Sequence, residues 1–269
     1  MLFQQITPRK KMTRPFLGLF IPMVLLCAWL YPSAAGQDSN PPDQLPPGHL
    51  NAGQIVRNLV NMNLKRARAL LAYESIRVYR LEYKGFFGGR AAEMVVNVNY
   101  QAPETKRFEI VSTTGSKSLI DHVFKKLLQS EEEAFERANQ SRTAINQENY
   151  EFTLVGYEYE PGGACYVLSV KPNTKNKYLF EGQIWVDAEQ FAVVRMEGEP
   201  AKNPSFWIKA TKIETRYANV NDFWLPAHLH SVTAVRLGGH ADFTIEYKNY
   251  RITDAAALNQ LSGAPEAGR

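Results

Sequence analysis

His228 and His230 stand two residues apart, a spacing that puts both imidazoles on one face of a strand. Such a pair could begin a metal site, or one ring could act as a general base oriented by Asp242 or Glu246. Either chemistry needs a third group nearby, and His240 is the obvious candidate ligand. A two-residue turn at Gly238-Gly239 pairs Leu237 with His240. His230 is then expected opposite Tyr247, several rungs away, with His240 on the other face. On that register the histidines do not converge, and neither a metal ligand set nor a catalytic residue is assigned. Cys165 has no histidine neighbour in sequence and reads as a small buried hydrophobe. Asp187 and Glu189 read as a turn pair. No G-x-S-x-G, phosphate loop, H-E-x-x-H or C-x-x-C occurs. The expectation is a protein that is not an enzyme and carries no cofactor. A hydrolase using His228 or His230 with Glu246 or Asp242 is the competing chemical reading.

The ends of the chain bear on where it works. Residues 1–35 have the layout of a secretory signal: basic Arg9, Lys10, Lys11 and Arg14, an apolar stretch Phe16–Leu30, then Ser33-Ala34-Ala35. The apolar stretch is shorter than the roughly 20 residues of a spanning helix, and Pro22 interrupts it. Cys27 follows Leu26, where a lipidation site would carry a small residue. A periplasmic or otherwise exported protein is expected, with an uncleaved membrane anchor as the alternative. The 31 Lys and Arg exceed the 27 Asp and Glu only through the four cations of the leader, so no nucleic-acid partner is indicated. Residues 36–49 are rich in Pro and polar residues and read as a tether; residues 255–269 read as a flexible tail.

Between them, residues 50–254 must supply a scaffold. Leu50-Asn51 looks like a staple and N-cap for a helix to about Ala72, with Ile55, Leu59, Met62 and Ala69/Leu70 on one face. The period then changes to two, over 73–84, 91–100 and 106–113. A second helix is expected at 117–138, and further strands near 150–160, 164–171, 178–187, 191–197, 206–218, 224–237 and 240–252. The turns between them are short and demand antiparallel neighbours. The order is helix, three strands, helix, seven strands. It defines an α+β fold built on one large curved antiparallel sheet, a half-open β-barrel.

A sheet with one apolar face must bury it, and a curled sheet of this size can leave a cavity. Val96, Val98, Phe180, Ile184, Trp207, Ile213, Phe243 and Ile245 are the expected inward residues; they would line a cavity or fill a core. Ile120, Val123, Phe124 and Leu127 give the second helix an apolar face suited to a lid. Phe86 and Phe87, at a glycine-rich hairpin tip, could touch a membrane or a partner, or fold onto the first helix.

Some of these stretches resemble the outer-membrane lipoprotein carrier (LolA/LolB-like) superfamily. They are Tyr100-Gln-Ala-Pro103 followed by Lys106-Arg-Phe-Glu-Ile110, Val111-Ser112 and Gly115-Ser-Lys117, then Gly182-Gln-Ile-Trp-Val-Asp187 and Phe223-Trp-Leu-Pro226. The resemblance spans roughly 50–252. It implies a half-barrel that hides acyl chains of a lipid or acylated lipoprotein. In the carrier an Arg directly before the strand-breaking Pro holds the lid closed; here Ala102 stands there, and Arg107 is the candidate substitute. An envelope protein-interaction or stress-sensor module on the same scaffold, without lipid cargo, is the other reading.

Overall fold

The computed structural model describes residues 50–86, 88–103, 105–135, 141–176, 178–202, 208–236 and 238–255. The leader, the tether, nearly all of the tail, Phe87 and Trp207 lie outside the described residues. Helix α1, Ala52–Ala69, opens with a reciprocal cap. The Asn51 side chain accepts from the Gln54 amide at 2.8 Å, and the Asn51 amide donates to Gln54 Oε1 at 2.9 Å. The helix ends earlier than its periodicity suggests because Leu70 is already extended and paired with Asp254. Its buried face is Ile55, Val56 and Leu59.

Ten antiparallel strands follow: β1 (Leu70–Gly85), β2 (Gly88–Gln101), β3 (Thr105–Gly115), β4 (Tyr150–Glu160), β5 (Gly163–Pro172), β6 (Phe180–Asp187), β7 (Val193–Pro200), β8 (Ile208–Val220), β9 (Phe223–Val235) and β10 (His240–Asp254). They form one open sheet in the order β3-β2-β1-β10-β9-β8-β7-β6-β5-β4. The sequence suggests one meander; the sheet is two, β1–β3 and β4–β10, joined where the first strand pairs with the last. That seam is long, running from Leu70↔Asp254 to Lys84↔His240. The chain leaves one edge of the sheet at β3 and resumes at the other edge with β4. The connection carries a continuous helical segment: one turn, α2 (Lys117–Leu119), a π-turn (Ile120–Phe124) and α3 (Lys125–Phe135).

One close approach within the sheet depends on glycine. Gly182 of β6 faces Gly198 of β7, and a Cβ on Gly182 would sit 2.0 Å from the Glu197 carbonyl oxygen. Only a glycine pair lets the two backbones approach this closely.

The inner face holds two apolar cores. In the first, Tyr79, Leu81, Met94, Val96, Val98, Leu229, Phe243 and Ile245 of the sheet meet Ile120, Val123, Phe124 and Leu128 of the helical connection. In the second, Ile55, Val56 and Leu59 of α1 meet Tyr150, Leu168, Val170, Phe180, Ile184, Val186 and Met196. On β8 and β9 the inner wall includes buried hydroxyls, with Thr211 and Thr233 bonded at 3.0 Å.

Candidate functional site

The helical connection lies on the inner face as a cover. Phe124 is fully buried, 6.0 Å from the Tyr79 ring and 6.2 Å from the Phe243 ring. Ile120, Val123 and Phe124 point into the first core as the spacing predicts. The expected Leu127 is only partly buried, and Leu128 goes deeper. A π-turn adds a residue to its turn and rotates the following face by about one position, which a 3.6-residue period cannot reveal.

One ionic cluster ties this cover to the sheet. Glu131 of α3 accepts from Arg77 Nη1 of β1 at 2.7 Å and from Lys106 Nζ of β3 at 2.6 Å. The side chains of Arg77 and Lys106 are 2% and 3% exposed, that of Glu131 12%. Aromatic rings wall the cations: the Arg77 guanidinium lies 5.0 Å from the Tyr247 ring centre and 5.5 Å from that of Phe108. Arg77 Nη1 also donates to the Tyr79 hydroxyl at 3.3 Å. Burial disfavours the Glu131 carboxylate, but Arg77 and Lys106 outweigh it and pull its pKa from 4.5 down to about 2. Burial likewise lowers the Arg77 pKa, and Glu131 with the surrounding tyrosines more than reverses that. Burial raises the hydroxyl pKa of Tyr247.

These three residues were not singled out from sequence. Arg77 sits in YESIRVYRLEYK, where apolar and charged residues fall on both parities, so the inward set is ambiguous. Tyr73, Ser75, Arg77, Tyr79 and Leu81 form the buried inward set, and Val78 of the other parity is buried as well. Lys106 and Phe108 share the inward parity of β3, so Arg107, the suggested substitute, points outward and is exposed. The cation that meets the cover from β3 is Lys106.

The expected lining residues divide between the two cores. Val96, Val98, Ile213, Phe243 and Ile245 belong to the first, Phe180 and Ile184 to the second. Phe86 is 88% exposed at the β1–β2 tip. A groove of about 740 Å³ lies elsewhere, on the outer face, lined by polar side chains such as Glu181, Gln183, Glu197, Lys212 and His230.

The histidine register differs from the expectation. His240 pairs with Ala234 and His230 with Thr244, so His230 and His240 share a face, four residues apart along the ladder. The turn spans Val235 to Gly239 rather than Gly238-Gly239 alone. Burial of Leu229, Ser231 and Thr233 opposite Ile245, Phe243 and Ala241 sets this pairing, because an odd slip would turn that face to water. His230 Nε2 lies 3.1 Å from Asp242 Oδ2 on the outer face. His228 pairs with Glu246, whose carboxylate is engaged by Arg80 and Lys248. Among the described residues no group of three or more His, Cys, Asp or Glu is arranged to hold a metal ion. Asp187 is a turn residue: its Oδ1 accepts from the Glu189 and Gln190 amides at 3.0 and 2.6 Å. Cys165 is buried with Val167, Trp185 and Val194, which pushes its thiol pKa up to about 11. Among the described residues no helix is long and apolar enough to cross a membrane.

Solved structures similar to the chain include a DUF1329 family protein from Desulfovibrio piger, with a TM-score of 0.40 and 14% identity over 76% of this chain and 94% of that one. A LolA superfamily protein from Nitrosomonas europaea gives 0.34 and 11% over 77% and 95%. The MucA/MucB complex of Pseudomonas aeruginosa gives 0.24 and 11% over 80% and 99%. Likenesses this distant transfer no activity. No curated protein matches the chain. A family profile matches residues 89–250, from the start of β2 through most of β10, and the chain belongs to that family, the family of unknown function DUF5686.

Proposed function

We propose that this is a non-catalytic envelope protein that shelters acyl chains of a lipid or lipoprotein between the sheet and a displaceable helical cover. On this reading residues 1–35 direct export and 36–49 tether the fold. The supporting observation is the cover itself: an apolar helical face on an apolar sheet wall, held by one buried ion cluster. The inner face is covered in this structure, so loading requires the α2–α3 segment to move. An acyl chain gains about 0.8 kcal/mol per CH₂ removed from water, on the order of 10 kcal/mol for a long chain.

The test is uptake of a fluorescent fatty acid by the purified protein, together with native mass spectrometry of co-purifying lipid. Saturable binding, increased when Glu131→Ala loosens the cover, is expected. If neither protein binds the probe and neither carries lipid, the reading fails.

A second reading, an envelope protein-interaction module without lipid cargo, has one observation in its favour. The sheet is open, and its edge strand β4 exposes Val155 and Tyr159, the latter by 82%. Crosslinking that recovers a defined partner through β4 would favour it.

A further inference from the structure

Glu131 does not satisfy the cradle that holds it. Arg77 Nε, Ser75 Oγ and the Tyr247 hydroxyl are buried beside the cluster without a hydrogen-bond partner. All three belong to one face: Ser75 and Arg77 alternate along β1, and Tyr247 of β10 stands opposite Arg77. Their residues are at least nine-tenths buried. A buried polar group left unpaired is costly, and such groups in a folded protein call for an explanation. The ion cluster itself is a second oddity. Replacing a buried ion pair by well-packed apolar residues of similar volume is often neutral or stabilising. A permanent plug would need no arginine, lysine and glutamate at its seam.

Both features fit a cradle shaped for an oxyanion larger or better placed than a side-chain carboxylate. We propose that Arg77, Lys106, Ser75 and Tyr247 form the site for the anionic terminus of an acyl lipid, and that Glu131 occupies it until that terminus displaces it. The inference rests on the acyl-shelter reading and adds the class of headgroup. The neighbouring core of Val96, Val98 and Phe124 takes the chain, and the cations take the oxyanion, a carboxylate or a phosphate monoester. Exchange keeps the charge balance of the seam while freeing α3, so loading and release of the cover become one event. The incoming oxygens would also meet the donors that Glu131 leaves unused.

Three probes of one chain length and one without a chain distinguish the sources: oleate, oleyl phosphate, oleyl alcohol and inorganic phosphate. The wild type is expected to bind oleate or the phosphate at least tenfold more tightly than the alcohol. Glu131→Gln, which keeps the shape but removes the competing charge, is expected to tighten the anionic lipids at least tenfold more than it tightens the alcohol. Lys106→Met is expected to weaken the anionic lipids only. Equal affinity of alcohol and anions in the wild type overturns the headgroup site while leaving the shelter intact. Phosphate alone binding as tightly as its lipid overturns the lipid assignment. No uptake of any chain-bearing probe by the wild type or the variants overturns the shelter reading itself. The wild-type comparison decides the matter even if a variant does not fold.

Discussion

Glu131 is the residue on which the cover's attachment depends, and its chemistry sets measurable limits. Glu131→Ala leaves two buried cations without their shared counter-charge, which costs about 3–5 kcal/mol. A urea titration should show the midpoint falling at an unchanged slope. The pH dependence has a definite sign. A carboxylate whose pKa falls from 4.5 to about 2 on folding adds stability in full above 4.5. That stability is lost as pH falls through this window, on the order of 3 kcal/mol altogether. Melting temperature is therefore expected to show no pH dependence from Glu131 between pH 7 and 5, where its contribution is complete. Below that its loss steepens, and Glu131→Gln should flatten this part of the curve. Cys165 gives an independent check: with its thiol raised to about 11 and packed against Trp185, it should resist thiol reagents at pH 8 until the protein unfolds. Rapid labelling of the native protein would contradict that packing. At this scale the sequence was a poor guide. A cation on an inward strand position cannot be recognised while both parities of 73–84 carry mixed residues, and Glu131 is hidden in the acidic run Glu131–Glu133.

Elements were far more legible, because each is specified by local pattern. The Asn51 cap, the alternation of Met94, Val96, Val98 and Tyr100, and the short turns between strands all act over a few residues. What escaped depends on events between elements: the phase shift of the π-turn and the odd slip at 235–239, where two glycines at positive φ allow a wider turn. The glycine pair of β6 and β7 offers a sharp test of how closely the strands approach. Gly182→Ala places a methyl group 2.0 Å from a carbonyl oxygen and must push the strands apart. The expected loss is about 3 kcal/mol, or about 6–12 °C in melting temperature for a domain of this size. Gly156→Ala on β4 meets nothing nearer than Val167 Cβ at 3.8 Å and should leave the melting temperature within a few degrees. Equal effects at the two sites would show that the close approach of β6 and β7 imposes no constraint at Gly182.

At the scale of the whole molecule, the connection from β3 to β4 is distinctive because it joins opposite edges of a sheet of ten strands. Its helical part covers the first core, while α1 covers the second. The seam of β1 with β10 unites the first and last strands, and no local pattern announces a pairing between residues so far apart in sequence. The two helical covers differ in how they are held. Helix α1 runs directly into β1 and also donates from Arg66 to the carbonyls of Gln190 and Phe191 at 2.5 and 3.3 Å. The other cover follows β3 after Ser116 and is tied to the sheet by Glu131 and an apolar face; on the acyl-shelter reading it is the one that leaves. Segments with fewer anchoring contacts open at lower free energy than the sheet that bears them. Amide hydrogen exchange should then show 117–135 exchanging faster than the central rungs of β1 and β10, with 52–69 closer to the sheet. Glu131→Ala should speed exchange in 117–135, and a bound fatty acid should change that segment and the facing residues 94–98 but not α1. Exchange of both covers together with the sheet, in wild type and variant alike, would make the helical connection a fixed part of the core and leave an acyl chain no way in.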